Sequence, residues 1–176
     1  MSSIAPPRGG AHPVQFFSFV MTVSVSGQID PQDIVVLVVE DNEFLRQIVG
    51  QVLHGLGLRD VRYVSGDAEA LRAFAAQPAH LVIVEFGRDC EAAFKLLRTL
   101  GQSAAGGRGR IGLITLVPEP NRERVIKAHD AGAEAVVAEP IAPGELAGHV
   151  TAIIRRHEGN WTSPAARVAD APTADA

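Results

Sequence analysis

Five short aliphatic runs, each followed by a stretch with helical spacing, leave this chain few folds to choose from. Ile34 to Val39 is an unbroken β-branched and aliphatic run, as a strand covered on both faces requires. Phe44, Leu45, Ile48, Val49, Val52 and Leu53 then recur at helical spacing until Gly55 and Gly57 stop the helix. Val61 to Val64 predicts a short strand, and Asp67 caps a helix through Leu71 and Phe74, with Pro78 beyond its end. Leu81 to Phe86 is a third strand, Ala92 to Leu100 a third helix, and Gly101 to Gly109 a loop. Ile111 to Val117 is a fourth strand, and Arg122 to Ala131 a helix ending at Gly132. Ala135 to Ala138 is a fifth strand. Pro143 opens a last helix with Leu146, Val150, Ile153 and Ile154 on one face.

Five βα units predict an α/β fold: a five-stranded parallel sheet, doubly wound, with helices on both faces. Such sheets bind ligands outside the carboxyl ends of their strands. Glu40-Asp41, Glu85, Thr115 and Glu139-Pro140 all fall at those ends. Topology and chemistry therefore point to the same edge of the sheet.

The 176 residues suffice for one domain, expected over 34–158, with a flexible leader at 1–33 and a disordered Ala/Pro/Thr/Asp-rich tail at 159–176. Met21 is a candidate start, since the periodic pattern begins only near Ile34. After Glu158 too little chain remains for an output domain, so a stand-alone domain is expected. A net charge of −4 argues against bulk binding to nucleic acid. No apolar run is long enough to span a membrane, and Val14 to Val25 lacks the basic start and cleavage site of a signal peptide. Cys90 is the single cysteine, which excludes an internal disulfide and a cysteine metal cluster and fits the cytoplasm. His54, His80, His129, His149 and His157 show no ligand spacing and are expected on the surface or in packing roles. Trp161 either packs on the domain edge or marks its end. Gly106 to Arg110 lacks the helix start of a phosphate-binding loop.

The segments VVLVVEDNEFLRQIV, LVIVEF, GLITL and AEAVVAEPI, in that order, resemble the response-regulator receiver domain of two-component signalling. The resemblance covers roughly Ile34 to Glu158. Asp41 and Glu85 are 44 positions apart, Glu85 and Thr115 30, and Thr115 and Glu139 24, the last slightly long for the family. It implies a flavodoxin-like sheet of order 2-1-3-4-5. By the same resemblance Glu40 and Asp41 match the acidic pair that holds Mg²⁺, Glu85 the phosphoacceptor aspartate, and Thr115 the hydroxyl switch residue. Glu139 falls on the site lysine, Pro140 on the proline after a cis bond, and Val136 on the aromatic switch position. In receivers the surface around the fourth helix docks partners, so Arg122, Arg124 and Lys127 are the candidate interface.

Two departures bear on the chemistry. Glu85 is one methylene longer than aspartate, which moves its oxygen by more than about 1 Å, and near-attack geometry tolerates little such error. Glu139 sets an anion where a phosphoryl group needs a cation; two like charges about 4 Å apart repel by ~1 kcal/mol even in water. The expectation is an atypical receiver that acts as a protein-interaction module without phosphorylation and without enzymatic activity. Crowded together, Glu40, Asp41, Glu85 and Glu139 would either bind Mg²⁺ or Ca²⁺ or hold a proton; alternatively Glu139 points to solvent. Expected partners are a histidine kinase, a phosphotransferase, a downstream signalling protein or a second copy, with no nucleic acid and no membrane. The alternatives are a conventional phosphorelay receiver and a small hydrolase or nucleotide-binding enzyme on the same fold. The missing Gly-rich turn after the first strand argues against the nucleotide.

Overall fold

The computed structural model describes residues 29–86, 90–105 and 110–161. Their strands are β1 (Val35–Val39), β2 (Asp60–Val64), β3 (Leu81–Glu85), β4 (Gly112–Pro118) and β5 (Ala135–Glu139). The helices are α1 (Glu43–Gly55), α2 (Asp67–Ala76), α3 (Cys90–Ala105), α4 (Arg122–Asp130) and α5 (Pro143–His157). Every strand pairing is parallel, and the order is β2-β1-β3-β4-β5. The α/β, doubly wound architecture is the one the alternating pattern predicts.

The reason lies in the strands. β1 is buried along its whole length, so each face needs a cover of helices. Its alternate residues divide between two cores. Val35, Leu37 and Val39 join Phe74, Phe94 and Leu97 on one face. Val36 and Val38 join Val49, Leu53, Leu146 and Val150 on the other. The helix starts follow local chemistry. Asn42 caps α1 by accepting from the Phe44 and Leu45 N–H groups, and Pro143 stands in the first turn of α5.

Several boundaries differ from expectation. The α2 cap position is Gly66, at φ 73°, which frees Asp67 to enter the helix. Helix α3 starts at Cys90 and runs five residues beyond Leu100, so the loop expected from Gly101 is shorter. At the start of the domain, Ile29 is already buried and Pro31–Asp33 form a 3-10 turn capped by Asp30, inside what reads as leader. At its end Trp161 is buried, three residues past the expected boundary. The remaining leader 1–28, with Met21, and the tail from 162 lie outside the described residues, as do Arg88 and 106–109. Among the described residues no helix is long and apolar enough to cross a membrane.

Candidate functional site

The carboxyl ends of β1 and β3 open onto a cavity of about 210 Å³. Glu40, Asp41, Asp67 and Glu85 line it, with Gly66, Val39, Val84, Ala92 and Ala93. Four of the nine lining residues are acidic and none is basic. Glu40 is only 1% exposed although it follows directly on the strand. One of its oxygens accepts the Asn42 N–H at 2.7 Å; the other is buried without a hydrogen-bond partner. Burial raises the Glu40 pKa to about 7; the Asn42 bond opposes this, and the charges of Glu85, Glu139 and Asp41 add to it. Burial also raises Glu85, with Asp41 beside it, and Glu139, with Glu85 beside it. Glu139 is half-buried and its Oε1 has no partner, so this side chain does not turn out to water. The direction of these shifts favours the protonated carboxyls, which relieves the repulsion.

A search of family models finds no match. Among curated proteins, the KDP operon transcriptional regulatory protein KdpE of Escherichia coli K12 is 29% identical over 129 residues, 73% of this chain. The chain spans about half (54%) of the length of that relative. Among solved structures, a response regulator of Chloroflexus aurantiacus superposes with a TM-score of 0.62 at 23% identity, over 69% of this chain and 98% of the other. A CheY-like receiver domain protein of Methanospirillum hungatei gives 0.62 at 18% identity, over 71% and 96%. The chemotaxis response regulator CheY4 of Vibrio cholerae gives 0.58 at 18% identity, over 68% and 98%. The chain has the fold of these response-regulator receiver domains.

Within this fold, the expected site residues do not all converge. Glu40, Asp41, Glu85 and Glu139 lie close enough to act on one another's ionisation. Thr115 does not join them. It is fully buried in the middle of β4, opposite Val84 and Val136, and its hydroxyl donates to the Ala135 carbonyl at 3.5 Å. Glu85 pairs with Leu116 and Glu139 with Pro118, so the sheet extends past Thr115 towards the site. Two residues further along β4, on the face Thr115 shares, stands Val117. The tip of β4 thus presents no hydroxyl on that face. Val136 is half-buried and packs against one core. The Glu139-Pro140 peptide is cis.

A receiver's metal centre needs several oxygens turned to one ion. Here one Glu40 oxygen is committed to Asn42, and among the described residues no three carboxylates, imidazoles or thiols are grouped to hold a metal. Among the described residues, the donor set as placed does not fit Mg²⁺ or Ca²⁺.

Two features of the site are invisible to motif matching. Asp67 lines the cavity, although by position it reads only as a helix cap; an acidic residue just past a strand end is the signal that points to it. Arg46 braces the rim by donating from Nε to the Glu40 carbonyl and from Nη2 to Ser65 Oγ at 2.6 Å. The basic stripe on α4 is less free than expected. Arg124 donates to the Pro118 and Glu119 carbonyls, at 2.8 and 3.5 Å, and Lys127 pairs with Glu123 at 3.0 Å. Between these charges Ile126 is 48% exposed and, with Arg122, Glu123 and Lys127, lines a shallow apolar surface pocket.

Proposed function

We propose that this receiver domain works as a protein-interaction module whose state does not depend on phosphorylation. The observation that carries this is the cluster of Glu40, Asp41, Glu85 and Glu139, three of them pushed towards the protonated form, at a cavity that Glu40, Asp41 and Glu85 line and no basic residue among the described ones does. A phosphoryl group brings up to two more negative charges. It would meet Glu139 where it needs a countercharge, and Val117 where it needs a hydroxyl. Glu85 also starts displaced from in-line attack by its extra methylene. Protein partners, among them a histidine kinase, a phosphotransferase or a second copy, would read the surface of the domain. The α4 patch around Arg122, Ile126 and Lys127 is the candidate contact, with Arg124 bracing its loop.

Incubation with a small phosphodonor, with and without Mg²⁺, tests this by intact mass. The expected result is no added phosphoryl group; labelling at Glu85 would overturn the proposal. In the double variant Glu85→Asp with Glu139→Lys, labelling begins to appear, because the nucleophile is shortened and the countercharge restored. Calorimetric titration with Mg²⁺ or Ca²⁺ is expected to show weak or no binding, since protons must first leave the cluster.

A further inference from the structure

Strand β2 is an edge of the sheet. One side of it pairs with β1; the other, among the described residues, pairs with no strand. Such an edge offers a row of backbone N–H and C=O groups to a further segment of chain. The side chains of β2 alternate between two environments. Val61 packs against the core shared with α1, and Tyr63, on the same face, is 36% exposed. Arg62, on the α2 face, donates to the Ala73 and Gln77 carbonyls at 3.4 and 2.8 Å, while its Nε is buried without a partner. Beside Tyr63 runs a groove of about 620 Å³ along α1, lined there by Arg46, Gln47, Gly50, Gln51 and His54. Gly50 lets the phenol lie against the helix: a Cβ there would stand 2.5 Å from the Tyr63 hydroxyl. The described chain begins near one end of this groove. Ile29 belongs to the same buried core as Leu53 and Leu58, and Pro31 lies 3.6 Å from where a Gly57 Cβ would be. Gly57 follows His54 by three positions, so the chain leading into Pro31 starts near the His54 end.

We propose that the occupant of this edge is the chain's own segment 20–26, added to the sheet as a strand antiparallel to β2. Its sequence has the period of a half-buried strand: Met21, Val23 and Val25 alternate with Thr22, Ser24 and Ser26. Valine and threonine also favour the extended backbone. The two sets match the two faces of the edge. The apolar set suits the groove beside Tyr63. The hydroxyl set suits the Arg62 side, where the orphaned Nε gains an acceptor. The direction follows from the connectivity. β2 runs parallel to β1, and a strand that leads down into the start of β1 runs opposite to both. The step from the outer side of β2 to β1 is two strand spacings, about 10 Å, and residues 27–34 cover more than that at about 3.3 Å each. An antiparallel edge strand on an otherwise parallel sheet is a common arrangement. It would also cover the edge that otherwise templates pairing with another chain.

Hydrogen exchange on the full chain tests this. Amides of residues 20–26 should exchange at least tenfold more slowly than in an unstructured peptide, at every protein concentration. Val23→Pro removes a ladder N–H and breaks the strand. It should return residues 20–26 to unstructured-peptide rates and speed exchange in β2, with β3, β4 and β5 as in wild type. A photo-crosslinking residue in place of Gln51, which is exposed on the groove, should capture residues 20–26 of the same chain at monomer mass. The proposal is overturned by wild-type exchange of 20–26 at unstructured-peptide rates, or by protection that Val23→Pro leaves in place. Protection that disappears on dilution, or crosslinks that join two chains, would give the edge to a second copy and overturn it equally. Crosslinks that miss residues 20–26 would do the same.

Discussion

At the scale of single residues, Glu139 decides how the site behaves. Burial and the neighbouring Glu85 both raise its pKa, so at neutral pH the folded state either pays for a buried charge or retains a proton. Glu139→Lys replaces that repulsion with attraction to Glu85 and Glu40. It should stabilise the domain at pH 7.5 by about 1 kcal/mol, with the gain shrinking towards pH 5 as the carboxyls protonate. Urea unfolding at the two pH values measures the difference. The acidic positions were legible in the sequence because each follows a recognisable strand. The burial of Glu40 was not, since a residue just past a strand end reads as exposed. Thr115 was misplaced for a related reason. GLITLVP contains one polar residue, which draws attention as a site candidate, while the strand itself runs on to Pro118. Only the pairing of Glu85 with Leu116 and Glu139 with Pro118 shows that Thr115 lies below the tip.

At the scale of elements, the sheet and its helices follow from periodicity, and the connections follow from contacts that periodicity does not contain. Arg124 belongs by spacing to a basic stripe. In the fold it braces the turn between β4 and α4, where Glu119 holds the left-handed φ of 50° that costs a non-glycine residue stability. Arg124→Ala should therefore cost about 1–2 kcal/mol in chemical denaturation, as the loss of hydrogen bonds from a charged donor does. Arg122→Ala, on the exposed side of the same helix, should stay within about 0.5 kcal/mol of wild type. Equal effects would mean that the bracing contact contributes nothing. Gly112 makes the same point at the start of β4. By sequence it is only the second residue of an expected strand, but Gly112→Ala drives a methyl into Ile153 and Leu81 and should cost about 1–3 kcal/mol.

At the scale of the whole molecule, the two edges of the sheet carry different chemistry: carboxylic acids at the carboxyl ends, and the stacked rings of Trp161 and His157 with the Arg156–Glu134 ion pair at the amino ends. The carboxyl edge sets a pH dependence of global stability with a definite sign. Glu40, Glu85 and Glu139 all bind protons more tightly in the folded state than in the unfolded chain. Folding therefore takes up protons between the ordinary glutamate pKa of about 4.5 and the Glu40 value of about 7. The stabilisation is complete below that window and is lost as the pH rises through about 7. For Glu40, which is buried throughout, the loss amounts to on the order of 2–3 kcal/mol between pH 5 and 8. Most paired carboxylates give the opposite slope, because their pKa values are depressed. Glu40→Gln keeps the shape and the neutral form, so it should flatten the curve and leave the variant more stable than wild type at pH 8. Equilibrium urea unfolding from pH 5 to 8 reads both effects. A wild-type stability that rises with pH over this range would mean that the cluster is held by something other than protons. Added Mg²⁺ separates the cases, since an ion bound to the cluster would raise stability at pH 8 and leave it unchanged at pH 5.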